Sequence, residues 1–306
     1  MPRRRHGDPR VILWTAALAL DLVAGEPPAW AHPVVWLGRA IARLAAAAPD
    51  DPRAEARHGV LVVAVPAAAA ALAGLAVRRV PSRAARIVLS VWLLKASFSL
   101  RALIERTGAV GEALAARDID GARDELRHLV SRPRGELDAA HAASAAVESV
   151  AENLTDSYVA PLLWYAAGGL PLALAYRAVN TADAMVGYRG AYERLGKASA
   201  RADDLLGYVP ARCAAAALIA AAPAVGLDGC AALRVAVRDH RRTESPNAGW
   251  TMAAAAGALG VRLEKTGYYR LGDGSAPGAP AVAAARALVL AAAALATCVA
   301  VAAARR

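Results

Sequence analysis

Three acids gather in "ESVAENLTDS", residues 148–157, immediately before one of the oiliest stretches of the chain, "YVAPLLWYAAGGLPLALAY". Glu148, Glu152 and Asp156 fall at i, i+4 and i+8, so a helix projects them within about 80° of one another. Like charges at that spacing repel, and more strongly where water is excluded, so the stripe calls for a cationic group or metal over it. The plain alternative is a solvated helix face.

Four more polar clusters sit at apolar edges. "DLVAGEPPAWAHPVVWLG" places Asp21, Glu26 and His32 around a proline-stiffened turn, and "RAVNTADAMVGY" places Asn180 and Asp183 one helical turn apart. "SARADDLLGYVPAR" supplies Arg201, Asp203, Asp204 and Arg212. "ESPNAGWTMAAAAGALG" is expected to open a helix, with Ser245 as N-cap, Pro246 in the first turn and Asn247 just inside. Backbone N–H groups at such a helix start can hold phosphate or carboxylate. Each cluster also has a structural reading: a hydrogen-bonded turn at His32, capping by Asn180 and Asp183, and an ion-pair network of Asp203 and Asp204 with Arg201 and Arg212. A metal-bridged polyphosphate or other charged substrate at a membrane interface unites the clusters chemically, because carboxylates hold Mg²⁺ while phosphates complete its shell and arginine forks suit phosphate. The sequence contains no Walker A loop, no GxSxG, no HExxH and no paired CxxC, which removes P-loop nucleotide binding, serine hydrolysis and thiolate zinc.

The elements that carry these residues are oily. Of 306 residues 57% are hydrophobic and only 5% aromatic, with mean hydropathy +0.33. Abundant Ala and Leu and scarce strand signal predict an all-α, polytopic helical membrane protein with polar helical insertions. Residues 59–77 and 282–304 are long enough to cross a hydrocarbon core, which takes about 20 residues, and 84–104, 158–176 and 211–229 are weaker candidates. The Arg-rich start followed by "VILWTAALALDLVAG" reads as a retained first helix with a basic cytoplasmic beginning. The net charge of +10 suits anionic lipid or an anionic substrate; nucleic acid is a poor third choice because the basic residues lie scattered among apolar segments without stacking aromatics. Cys213, Cys230 and Cys298 read as small packing residues.

The organisation expected is one helical membrane domain over 1–306 with a polar insertion at 105–157. Within it, residues 131–157 predict one long helix with Ser131 and Pro133 near its start. Residues 108–130 predict a helical pair broken at Asp120-Gly121, and 272–280 a flexible turn. If every apolar segment crossed, the polar clusters would be divided between the two faces. At least one helix is therefore expected to be broken or re-entrant, and Gly168-Gly169-Leu170-Pro171 marks 158–176 as that helix.

The blocks "DLVAGEPPAWAHPVVWLGRAI", "WLLKASFSLRAL", "AAVESVAENLTDSYVAPLLWY", "LALAYRAVNTADAMVGY", "ASARADDLLGYVPAR" and "SPNAGWTMAAAAGALGVRLEKTGYYRLGDG" run in order from about residue 20 to 275. At these blocks the chain resembles the adenosylcobinamide-phosphate synthase family, membrane-associated enzymes of cobalamin biosynthesis. It departs from the family before Ser-Pro-Asn, where a His-Pro-like pair is common and "RRTE" stands here, with His240 one turn away. The resemblance implies ATP-dependent amide ligation of (R)-1-amino-2-propanol or its O-phosphate to the propionate of adenosylcobyric acid, with Mg²⁺. It implies acid–base roles for Glu148, Glu152, Asp156 and His32, and metal binding by Asp183, Asp204 and Glu152. Asn153, Asn180, Arg201, Arg212, Ser245 and Asn247 are implied to contact substrate or phosphate. Corrinoid, amino-alcohol phosphate and membrane lipid are the implied partners, the site is expected on the cytoplasmic side, and the oligomeric state is open. A transporter with an acidic solute path is the alternative, because intramembrane acids and broken helices serve carriers too.

Overall fold

A computed structural model of the chain describes residues 8–130, 134–188, 190 and 192–304. It is an all-α polytopic membrane protein of thirteen α-helices among the described residues, with one short antiparallel hairpin. Four helical stretches are long and apolar enough to cross a membrane: Pro52–Arg79, Arg83–Ala115, Lys197–Val225 and Ala279–Ala304. Their outward faces carry exposed Val60, Leu61, Val65, Leu72, Val209, Leu290 and Val299, which water would solvate poorly and lipid would cover. Cys213, Cys230 and Cys298 are free and exposed, so the packing role expected of them does not hold.

The chain folds as two compact units built from interleaved segments. The first comprises residues 1–99, 160–206 and 299–306. It holds α1 (Pro9–Ala24), α2 (Pro33–Ala46), α3 (Pro52–Ala76), α4 (Arg83–Lys95), α8 (Ala160–Gly168), α9 (Leu170–Val186) and the start of α10 (Lys197–Ala221). Asp8, Asp51 and Ser82 cap α1, α3 and α4 through side-chain oxygens, and Pro9, Pro33 and Pro52 occupy first turns where no N–H is needed. Its core packs Ile41, Val62, Val63, Val179, Ala182, Val186 and Leu195 where α2 and α3 meet α9. The expected break is present: Gly169 adopts φ 73°, a left-handed conformation that glycine tolerates, and separates α8 from α9.

The second unit comprises residues 100–159 and 207–298. It holds α5 (Leu100–Ala115), α6 (Ile119–Glu125), α7 (Ala139–Leu154), the rest of α10, α11 (Gly229–Asp239), α12 (Ala248–Leu259), β1 (Leu263–Lys265), β2 (Tyr269–Leu271) and nearly all of α13 (Ala279–Ala304). Gly257 lets α12 approach α11 closely; a Cβ there would collide with the Ala231 carbonyl.

Several local expectations shift. The helix carrying the three acids begins at Ala139, where Asp138 accepts from His141 N–H at 2.8 Å; Ser131 and Pro133 lie outside the described residues. It ends at Leu154 in a π-helical turn over Thr155–Val159, so Asp156 leaves the 100° register that its i+8 spacing assumed. The break between α5 and α6 falls at 116–118 rather than Asp120-Gly121, because Arg117 takes a positive φ and Asp118 caps α6 through Gly121 N–H. The 272–280 segment is pinned rather than flexible: Gly272 N–H donates to Asp239, Arg238 bonds Asp273, and Ser275 O accepts from Arg262 N–H at 2.9 Å.

Candidate functional site

In the first unit the α1–α2 turn meets the end of α4. Lys95 is buried, with Nζ 3.0 Å from the fully buried Asp21 and 2.7 Å from Glu26. These distances fix an ion pair. Burial pushes the Glu26 carboxyl up, but its contacts with His32 and the Lys95 ammonium outweigh that and hold it below the ordinary glutamate value. His32 caps α2: its Nδ1 accepts from Val34 N–H at 3.2 Å, so its Nε2 carries the proton that faces Glu26 Oε2 at 2.9 Å. The turn reading of His32 is what the geometry supports. Lys95 lies within the weaker span candidate 84–104 and is not among the residues that the sequence marks for chemistry. An isolated lysine in "LLKASF" was the available signal, since a buried cation requires partners.

A second cluster in the same unit joins α9 to the start of α10. Asn180 and Asp183 lie inside α9 and do not cap it. Asn180 Nδ2 donates to Asp203 Oδ1 at 3.2 Å, and Asn180 Oδ1 accepts from Arg177 Nη1 at 3.1 Å. Burial, and then the Asp204 charge, push the Asp183 carboxyl up to about 6. Gly187 leaves room for that carboxylate; a Cβ there would collide with Asp183 Oδ1. Arg201 is exposed and forms no ion pair among the described residues, so the expected network with Asp203 and Asp204 is absent on its side.

In the second unit, Glu148 is buried and both its oxygens are engaged. Ser144 Oγ donates to Oε1 at 2.6 Å and Tyr269 OH donates to Oε2 at 2.8 Å. Ser144 Oγ also accepts from Glu264 N–H at 2.7 Å, which ties α7 to β1. Hydroxyls thus cover the first acid of the stripe. Glu152 and Asp156 are half-buried. Asn153 Nδ2 donates to Ser149 O at 2.9 Å and Asn153 Oδ1 accepts from Ser157 Oγ at 3.5 Å, contacts that hold it within its own helix.

The Ser245–Trp250 turn lies in the same unit. Helix α12 starts at Ala248, two residues later than expected, with Asn247 in the cap position; Ser245 Oγ still accepts from Asn247 N–H at 3.2 Å. Arg212 forms no ion pair among the described residues. Its Nη1 donates to Asn247 Oδ1 at 2.8 Å and Tyr208 O at 2.7 Å, its Nη2 to Pro246 O at 3.3 Å, and its guanidinium lies 3.5 Å over the Tyr208 ring. His240 stacks on Trp250 with ring centroids 3.9 Å apart.

Among the described residues no group of three or more His, Cys, Asp or Glu could hold a metal ion. A Mg²⁺ bound with phosphate requires only one or two protein carboxylates, and Asp183 with Asp204 fits that need.

The family model described as CobD/Cbib protein matches residues 14–302. The cobalamin biosynthesis protein CobD of Dehalococcoides mccartyi is 39% identical over 279 residues, covering 87% of this chain and 88% of that protein. A probable cobalamin biosynthesis protein CobD of Methanothermobacter thermautotrophicus is 41% identical over 258 residues, covering 84% and 85%. The Klebsiella pneumoniae CobD is 39% identical over 260 residues, covering 83% and 82%. No solved structure matches the chain. With nearly its whole length matched by the family model and by full-length relatives, the chain belongs to the CobD/Cbib family.

Proposed function

We propose that this protein acts in cobalamin biosynthesis as an ATP-dependent ligase, joining (R)-1-amino-2-propanol or its O-phosphate to the propionate carboxylate of adenosylcobyric acid at the cytoplasmic face of the membrane. The relatives' names support the pathway, and the family resemblance carried by the six sequence blocks supports the substrates. The observation that carries the chemistry is the α9–α10 cluster, where burial and a neighbouring acid make a charged Asp183 unfavourable. Asp183 and Asp204 would hold a divalent cation there, which would relieve that repulsion and offset the charge of a nucleotide phosphate.

A carboxylate is a poor acyl donor, and bound Mg²⁺·ATP supplies the phosphoryl or adenylyl group that activates it. The chain's own residues position and protect. Asp183 and Asp204 would hold the cation. Asn180, its amide oriented by Asp203, offers a fixed hydrogen-bonding group beside them. Glu152 and Asp156 are proposed, from the resemblance alone, to receive the proton of the attacking ammonium, which a half-buried carboxylate can do. Glu148 holds β1 and β2 to α7, and Arg212 orders the Ser245–Trp250 turn. The apolar setting keeps water from an activated acyl group.

The test uses the protein purified in detergent with Mg²⁺, ATP, adenosylcobyric acid and each form of the amine. The expected result is a corrinoid heavier by the amide-linked amine, formed in step with nucleotide release and absent without amine. An unmodified corrinoid with both amines sinks the proposal, and solute movement by reconstituted vesicles would then favour the carrier alternative.

A further inference from the structure

Arg177 lies one turn before Asn180 on α9 and is half-buried. Its Nη1 donates to Asn180 Oδ1 at 3.1 Å, its Nε is buried without a hydrogen-bond partner, and it forms no ion pair among the described residues. Asn180 gives the reason. Its carbonyl is committed to Arg177 and its amide nitrogen to Asp203, so a neutral group stands between the guanidinium and the carboxylate. The cation is held in place without being neutralised. A guanidinium offers five N–H donors in a planar fork that matches the oxygens of phosphate or carboxylate. A buried charged donor left unmatched is unfavourable unless a ligand completes it.

We propose that Arg177 is the anion-binding side chain of the α9–α10 site, receiving a phosphoryl or carboxylate oxygen on Nη2, the guanidinium nitrogen that has neither a hydrogen bond nor complete burial. Asn180 sets the orientation of the fork. Thr181 Oγ1, donating to Arg177 O at 2.7 Å, steadies the same turn of helix. The identity of the anion as a ligase substrate rests on the function proposed above; the binding of an oxyanion does not.

The full-length protein in detergent with Mg²⁺ is titrated with inorganic pyrophosphate, read by calorimetry and by thermal unfolding. Wild type is expected to bind and to gain unfolding temperature. Arg177→Gln is expected to lose about tenfold or more in affinity while unfolding, without ligand, near the wild-type temperature. Arg177→Lys keeps the charge but loses the fork, so it falls between them and carries the test if the Gln variant does not fold. Absence of binding by wild type, or equal binding by wild type and either folded variant, overturns the proposal. In turnover assays, a raised KM confined to ATP assigns the anion to the nucleotide, and one confined to phosphorylated aminopropanol assigns it to that phosphate. A raised KM for the corrinoid assigns it to the propionate. Unchanged KM values with only a lower unfolding temperature would reduce Arg177 to packing and overturn the idea. If no amide forms in wild type, the ligase reading fails and the pyrophosphate titration still decides Arg177.

Discussion

Asp239 in the second unit and Asp183 in the first are both acids taken out of water, and their surroundings treat them oppositely. Asp239 is fully buried, yet Arg238 donates to it through Nε at 2.8 Å and Nη2 at 2.7 Å, Gly272 N–H reaches it at 2.9 Å, and Arg242 Nε lies at 3.2 Å. Burial pushes its carboxyl up, and these partners more than offset that, so it stays below the ordinary aspartate value. Asp183 forms no ion pair among the described residues, and its neighbouring charge is another acid; its carboxyl is pushed up to about 6. The satisfied carboxylate is architecture, fastening α11 to the segment after β2. The other has no such partners, and the cation site proposed above rests on that contrast.

The strongest way to break the contrast is to neutralise each acid in turn. Asp183→Asn is expected to lower turnover about 100-fold or more, equivalent to about 3 kcal/mol of barrier, whereas Asp239→Asn leaves turnover per folded molecule unchanged. Equal losses in product formed per folded enzyme would erase the distinction. Stability should respond the other way round. Asp239→Asn is expected to cost about 2–3 kcal/mol by breaking a buried charge cluster, read as a lower unfolding midpoint, while Asp183→Asn stabilises the metal-free protein.

The pH dependence sharpens the comparison. Because Asp183 titrates near 6 in the folded protein and near 3.8 when unfolded, the folded state holds an extra proton between those values. Its contribution to stability is therefore full below about pH 4 and declines as pH rises through 6, by about 1–2 kcal/mol once solvent screening is allowed for. Unfolding curves of wild type against Asp183→Asn across that window measure it, and Mg²⁺ should restore the loss above pH 6. A constant difference between the two proteins across the window would remove Asp183 from the cation site. The smallest effect separates the acids of α7. Glu148→Gln is expected to cost about 1 kcal/mol of stability and to keep turnover within about threefold, while Glu152→Gln falls well below that. The reverse order would make Glu148 the reacting acid and Glu152 part of the scaffold.

Much of this was legible along the chain. Helix content follows from Ala and Leu abundance, the apolar stretches from local composition, and the α8–α9 break from Gly168-Gly169, because each depends on residues close in sequence. The site was legible only as a set of residue types. Asn180, Asp183, Asp203 and Asp204 stand out as polar residues at apolar edges, but of the two readings open for Arg201 and Arg212 the ion-pair network does not form among the described residues, because helical adjacency does not say which way a long side chain turns. Arg212 reaches Asn247, 35 residues away, and Glu148 reaches Tyr269, 121 residues away.

The sequence by itself determined that this is an oily, helical membrane chain of the CobD/Cbib family with acids, amides and arginines at the edges of its apolar segments. Only the tertiary structure decided which of those charges are neutralised. Lys95 was enclosed between Asp21 and Glu26, Asp239 was surrounded by arginines, and Arg177 was left facing a neutral amide. The physical reason is that the free energy of a charge depends on its partners and on the water excluded around it, and both are set when distant helices dock.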